Sequence, residues 1–281
     1  MLGVSQQEFP EKKMAMKVIP IRASSMADLT ECPARWEATQ VQGLKTPARV
    51  STWLGTSLHK TLEVYDKAKL ATGRTIDVSD AQSLFTDTLW NPNEEVVGEE
   101  SDYKKAEKNG LELVRKYAEL IAPNRTYVAV EVTGPKMDVI VEGVVIRLSG
   151  TVDRIKVTPE KRYGISDVKS GANVVSADET VDVDPYRAQI GVYEILAQAV
   201  TGQEMTEPGE IIGLGANGKA RVATGEVRNA AEMLVGTQEA PGLLQYAARI
   251  VKHELYFGNP KSILCSEAYC PIHGRCRFRG K

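Results

Sequence analysis

The sequence predicts an α/β protein: a mixed β-sheet flanked by helices. Three observations predict it. Helical periodicity dominates up to about residue 121, short strand-like runs begin at Thr126, and a later amphipathic segment leads back to strands. Residues 47–71 read as a helix, with Trp53, Leu54, Leu58, Leu62 and Tyr65 near a 3.6-residue period. Residues 79–89 and 102–121 are further helical segments, joined by a polar loop over 91–101. Strands are predicted over 127–132 and 137–141, followed by one long strand over 144–157 and another over 162–169. A helix over 185–200 follows, then a strand pair over 210–214 and 220–227 around Asn217-Gly218. Residues 230–255 are mostly helical, interrupted at Gly236 and Pro241-Gly242.

The bulk properties exclude several classes. The chain has no run of about 18 apolar residues, so no membrane-spanning segment is expected. Residues 1–20 lack the apolar centre of a secretion signal and read as a flexible arm before one domain over 21–281. A cytoplasmic location is expected. A net charge of −2 neither announces nor excludes a nucleic-acid partner. The C-terminal run Arg275, Arg277, Arg279 and Lys281, with no acid among them, suits either phosphate contact or a solvated tail. There is no Gly-x4-Gly-Lys-Ser/Thr loop, so no nucleotide-driven motor is expected in this chain.

The chemistry concentrates in one β-hairpin. Its strands carry Gly150-Thr151-Val152-Asp153-Arg154-Ile155 and Ile165-Ser166-Asp167-Val168-Lys169-Ser170-Gly171, with Thr158-Pro159-Glu160-Lys161 as the turn. A hairpin closed there places Asp153 opposite Asp167 within one register step, with Cβ atoms roughly 4.5–5.5 Å apart. Lys169 shares the face of Asp167, and Ile155, Val157, Tyr163 and Ile165 continue it toward the turn. Two acids and a lysine at a half-buried position are costly unless offset, and a divalent metal offsets them. That arrangement suits a metal-dependent phosphodiesterase. A chance Asp-x-Lys on a solvated strand is the competing reading.

Three further groups support the first reading. His59, in Gly55-Thr56-Ser57-Leu58-His59, sits one turn after a glycine that lets backbone or ligand approach, and neutral imidazole suits a metal beside carboxylates. Gln189 and Tyr193 lie one turn apart on one helix face, placed to orient substrate or Lys169. Glu131, on the strand before the hairpin, is a candidate outer acid. Four cysteines, Cys32, Cys265, Cys270 and Cys276, suit a metal or cluster rather than disulfides in a reducing compartment. Four thiolates fit an iron–sulfur cluster or tetrahedral zinc, with His273 able to substitute in the latter.

Assembled, these residues resemble the RecB-type exonucleases of the PD-(D/E)xK superfamily. The likeness is greatest to the iron–sulfur branch that includes the AddB nuclease domain and CRISPR-associated exonucleases. Ser25-Met26-Ala27-Asp28-Leu29-Thr30-Glu31-Cys32-Pro33-Ala34-Arg35-Trp36 is similar to the family's first-cysteine motif. Gly55-x3-His59, Gly150-x2-Asp153-Arg154, Asp167-Val168-Lys169 and Gln189-x3-Tyr193 resemble its catalytic motifs in order. The terminal cysteines resemble its closing motif, although four residues rather than two separate Cys265 from Cys270.

The resemblance implies a restriction-endonuclease-like core over 126–200, a helical part over 47–121, and a closing part over 261–281 joined to the N-terminal segment by a cysteine-ligated cluster. It implies Asp153, Asp167, Lys169, Gln189 and Tyr193 as catalytic residues. One or two Mg²⁺ or Mn²⁺ ions would be held by His59, Asp153, Asp167 and the Val168 carbonyl. A 4Fe–4S cluster (alternatively zinc) would be held by Cys32, Cys265, Cys270 and Cys276. DNA is the implied substrate, in recombination, repair or phage DNA processing in a host cytoplasm. Some relatives form rings or join helicases, so the resemblance leaves a helicase or recombinase partner and oligomer formation open. The reading from another class is a non-catalytic DNA-binding or scaffold subunit.

Overall fold

The computed structural model describes residues 16–279. Strand β1 (Val18–Arg22) opens the described chain, followed by short helices α1 (Met26–Glu31) and α2 (Pro33–Trp36). Strand β2 (Ala48–Arg49) leads into the long helix α3 (Val50–Thr72). After it come α4 (Val78–Trp90), β3 (Val96–Val97) and α5 (Glu100–Lys116), which runs on into a π-helical turn at Tyr117–Ile121. Five strands succeed one another: β4 (Tyr127–Thr133), β5 (Met137–Val141), β6 (Val144–Ser149), β7 (Thr151–Val157) and β8 (Tyr163–Gly171). Helix α6 (Arg187–Thr201) crosses back to β9 (Gly209–Gly215) and β10 (Arg221–Val227), before α7 (Ala230–Val235) and α8 (Leu243–Lys252).

The main sheet has the order β10-β9-β8-β7-β4, with β8 and β9 parallel and the other neighbours antiparallel. Its central strands are buried on both faces. Val168, Ile212 and Leu214 pack toward α3, α4 and α5, around Trp53, Leu58, Phe85 and Tyr117. Ile155, Ile165 and Ile211 pack the other way, against Ile190, Val192 and Leu196 of α6. Strand β9 shows why: every residue of Gly209–Gly215 is buried, the mark of a strand covered by helices on both sides. A smaller sheet, β1-β6-β5, extends the second core through Ile19, Ile21, Ile146 and Leu148.

Two expectations are corrected. The predicted strand over 144–157 is two strands in two sheets, broken at Gly150. A Cβ at that position would lie 3.1 Å from both Ala23 Cβ and Tyr193 Cε1, so the chain turns where only glycine passes easily. The predicted arm over 1–20 overlaps β1, whose Ile19 and Ile21 are buried while Val18, Pro20 and Arg22 are exposed. Pro20 hides the alternating signal, and β1 is indeed an edge strand, where a missing N–H is tolerated. Residues 1–15 of that arm, and Lys281 of the basic tail, lie outside the described residues. Among the described residues no helix is long and apolar enough to cross a membrane.

Candidate active site

The hairpin closes in the expected register. Arg154 pairs with Ser166 and Ile155 with Ile165, which sets Asp153 across from Asp167 one step further on. The Val168 N–H donates to Asp153 Oδ2 at 3.1 Å, locking the acid to the neighbouring strand. Asp153 and Asp167 are 7% and 0% exposed. Acids so deeply placed need partners, and each finds different ones.

Asp153 faces helix α3, where His59 Nδ1 stands 3.4 Å from Asp153 Oδ2 and the Val168 carbonyl lies beside the imidazole. The glycine one turn earlier serves the predicted close approach, though what approaches is β8: a Cβ on Gly55 would fall 2.6 Å from Ser170 Oγ. Glu131 completes the group, since ligand atoms of His59, Glu131 and Asp153 all lie within 4.8 Å of one another. Its position depends on a backbone conformation the sequence does not announce. Within strand β4, Glu131 has φ 53°, a left-handed geometry that costs a non-glycine residue on the order of 1 kcal/mol or more.

Asp167 turns to Lys169 and α6. Lys169 Nζ is 2.7 Å from Asp167 Oδ2, Gln189 Nε2 is 3.5 Å from Asp167 Oδ1, and Gln189 donates to Tyr193 Oη at 2.8 Å. Lys169 Nζ also lies over the Tyr186 ring at 5.5 Å. The structure thus brings His59, Asp153, Asp167, Val168, Lys169, Gln189 and Tyr193 to one place. Within it, Glu131 rather than Asp167 stands in the three-residue group with His59 and Asp153.

The electrostatics follow from burial. Desolvation raises the Asp167 pKa, Lys169 lowers it and the Asp153 charge raises it again, leaving it well above the ordinary carboxylate range. Burial opposes the Lys169 charge, yet Asp167 and Asp153 raise its pKa on balance, so the ammonium persists. Burial, then Asp153 and Glu63, push Glu131 up to about 7. Burial lowers the His59 pKa despite Asp153, so the ring is neutral and its nitrogens can bind a cation.

These donors fit a hard divalent metal. Oxygen and imidazole ligands converge, and Asp167 Oδ2, fully buried, faces only the Lys169 ammonium at 2.7 Å among the described residues. The group opens into a cavity of about 520 Å³ that also carries the exposed cations Arg22 and Lys60. A larger cavity of about 900 Å³, between β1 and the C-terminal segment, holds none of the hairpin acids. Chemistry rather than size assigns the site.

A pH effect follows. In the unfolded chain Glu131 and Asp167 titrate near 4, roughly their unperturbed range. Between that value and about 7 for Glu131, the folded state holds more protons than the unfolded one, so metal-free stability falls as pH rises. His59, lowered by burial, works in the opposite sense. Thermal melts of metal-stripped protein at pH 5 and 7.5 are expected to show a smaller fall for Glu131→Gln than for wild type. Added Mn²⁺ should restore the wild type at pH 7.5. An equal fall in both proteins would show that Glu131 carries no raised pKa.

All four cysteines line a second small cavity, together with Arg35, Asn259 and His273. Cys32 and Cys270 are buried, and the Asn259 N–H donates to Cys32 Sγ at 3.4 Å. Burial raises the Cys270 thiol pKa, and neighbouring Cys32 and Cys265 raise it further. No three of the sulfurs lie within 4.8 Å of one another. His273 Nδ1 is instead 3.1 Å from Arg279 Nη1. In the tail, the Arg277 guanidinium lies 4.8 Å from the Phe278 ring centre.

A hairpin carrying Asp153, Asp167 and Lys169 in a helix-covered mixed sheet defines a nuclease-type protein. A family model described as the PD-(D/E)XK nuclease superfamily matches residues 21–277, and the chain belongs to that superfamily. No curated protein matches the chain. Two solved structures are similar to it. One, SSO0001, shares 14% identity over 96% of this chain and 91% of its own, with a TM-score of 0.43. The other, named as a candidate exonuclease from Eubacterium rectale, shares 14% identity over 89% and 85%, with a TM-score of 0.42.

Proposed function

We propose that the protein is a metal-dependent DNA exonuclease. The observation that carries this reading is the convergence of His59, Glu131 and Asp153 beside the Asp167–Lys169 pair, at the wall of one cavity. His59, Glu131 and Asp153 would hold a Mg²⁺ or Mn²⁺ ion, with Asp167 and the Val168 carbonyl as further oxygens toward it or a second ion. When bound, such an ion supplies Lewis acidity at the phosphate and lowers the pKa of water there. Lys169 stabilises charge developing on the phosphate oxygens and orients the attacking water. Gln189 and Tyr193 hold Asp167 in place, and Arg22 and Lys60 offer cations to the flanking phosphates. The exonuclease assignment, a role in recombination, repair or phage DNA processing, and a helicase or recombinase partner rest on the motif resemblance.

The cysteine cavity is proposed as a 4Fe–4S site. A single tetrahedral zinc with Zn–S bonds of about 2.3 Å draws its sulfurs to roughly 3.8 Å apart. Four cysteines lining one cavity match the ligand count of such a cluster, one thiolate to each iron. Visible absorbance and iron content of anaerobically purified protein test this, and stoichiometric zinc without iron would overturn it.

The test of function is cleavage of end-labelled linear DNA, single- and double-stranded, beside a closed circle, with Mg²⁺ or Mn²⁺. Wild type should digest linear DNA and spare the circle, and Asp153→Asn should not digest either. Cutting of the circle would make the protein an endonuclease. Tight DNA binding without cleavage would favour the scaffold role.

A further inference from the structure

Behind the site lies an ion pair that the reaction does not touch. Arg154, next to Asp153 in β7, is 0% exposed, and its Nε donates to Asp66 Oδ2 at 2.6 Å. Asp66, also inside the protein, stands two turns beyond His59 on the same face of α3. Helix α3 therefore meets β7 at two rungs: His59–Asp153 at 3.4 Å and Asp66–Arg154 at 2.6 Å. Asp66 is held from a third side by Tyr117 Oη at 2.7 Å, and the Arg154 guanidinium lies 5.9 Å from the ring centres of both Tyr117 and Tyr127.

A buried ion pair is seldom retained for stability, because apolar residues of similar volume do as well or better. This one is also incompletely satisfied: Arg154 Nη1 and Nη2 and Asp66 Oδ1 have no hydrogen-bond partner among the described residues. Arg154 Nη1 nevertheless reaches to 3.9 Å from Asp153 Oδ2, so one side chain touches both the acid of the site and the helix that carries the histidine. A helix advances about 1.5 Å per residue, so a small axial slip of α3 would part His59 from Asp153.

We propose that Arg154 and Asp66 are positioning residues that fix the axial register of α3 on β7 and thereby hold His59 at binding distance from Asp153. The inference rests on the proposed metal site. Its readout is Mn²⁺ affinity without DNA, followed by the electron-paramagnetic signal of free Mn²⁺. Arg154→Met should weaken Mn²⁺ binding about 10- to 100-fold, the usual effect of losing support behind a ligand. Because Arg154→Met strands Asp66, the companion Asp66→Val/Arg154→Met removes both charges. That variant should fold, as judged by circular dichroism and melting, yet bind Mn²⁺ as weakly.

Electrostatics alone predicts the opposite sign, since a cation removed from beside Asp153 should tighten Mn²⁺ binding. Unchanged or tighter binding by the folded double variant overturns the proposal. Asp153→Asn separates the two claims. If it leaves Mn²⁺ affinity unchanged, the metal site itself is misassigned. If it abolishes binding while the double variant binds normally, only the positioning role falls.

Discussion

Lys169→Ala is expected to lower DNA cleavage by about 10³-fold while the chain still folds. The size of the effect comes from two losses in one substitution. The first is the ammonium itself, held against Asp167 at 2.7 Å and so placed to meet developing phosphate charge. The second is the charge of Asp167. That carboxyl is already raised by burial, and Lys169 is the largest influence holding it down. Without Lys169 its pKa rises further, so the metal-free carboxyl holds its proton more strongly and yields it less readily to a metal. The same shift protects the fold: a protonated carboxyl avoids the roughly 3–5 kcal/mol cost of a stranded buried charge. Cleavage assays beside thermal melts check both halves. Residual activity should rise with pH as Asp167 ionises. Cleavage above a tenth of wild type at neutral pH would remove Lys169 from the chemistry.

The hairpin was legible because its information is local. Alternation fixes which residues share a face, and the Thr158–Lys161 turn fixes the register, so Asp153, Asp167 and Lys169 could be set together from the sequence. Gln189 and Tyr193 were legible for the same reason, being one helical turn apart. Glu131 was visible only as an acid on the preceding strand. What brings it to His59 and Asp153 is its left-handed backbone, and nothing in the local pattern requires that. The Arg154–Asp66 pair was missed because it joins elements 88 residues apart. A signal was present, however. In a strand buried on both faces, the neighbour of an inward acid must also point inward, so Arg154 needed an internal partner. The break between β6 and β7 was hidden by strand-like runs on either side, Val144–Ile146 and Thr151–Val152, and only Gly150 marked it.

Cys32→Ser is expected to lower the melting temperature by roughly 10 °C and to remove the visible iron absorbance. The expected size follows from how little else secures the C-terminal segment. Beyond α8 the described chain has a single 3-10 turn, at His273–Arg275, and Ile263 is 86% exposed. Its direct ties to the N-terminal helices include the Ala34 N–H to the Phe257 carbonyl at 3.0 Å and the Asn259 N–H to Cys32 Sγ at 3.4 Å. The proposed cluster, by joining Cys32 to Cys265, Cys270 and Cys276, would close a loop of more than two hundred residues. In the chain-entropy limit such a cross-link is worth about 5 kcal/mol, and binding energy at the thiolates adds to it. Local relaxation around the serine reduces the net effect, which is why the expected shift stays near 10 °C. The comparison that isolates the cluster is Cys32→Ser against wild type stripped of iron by chelation, since both lack the cross-link and should melt together. If Cys32→Ser kept the colour and melting point of wild type, Cys32 would be an ordinary buried thiol, and the contacts of Ala34 and Asn259 would be what holds the two ends of the domain.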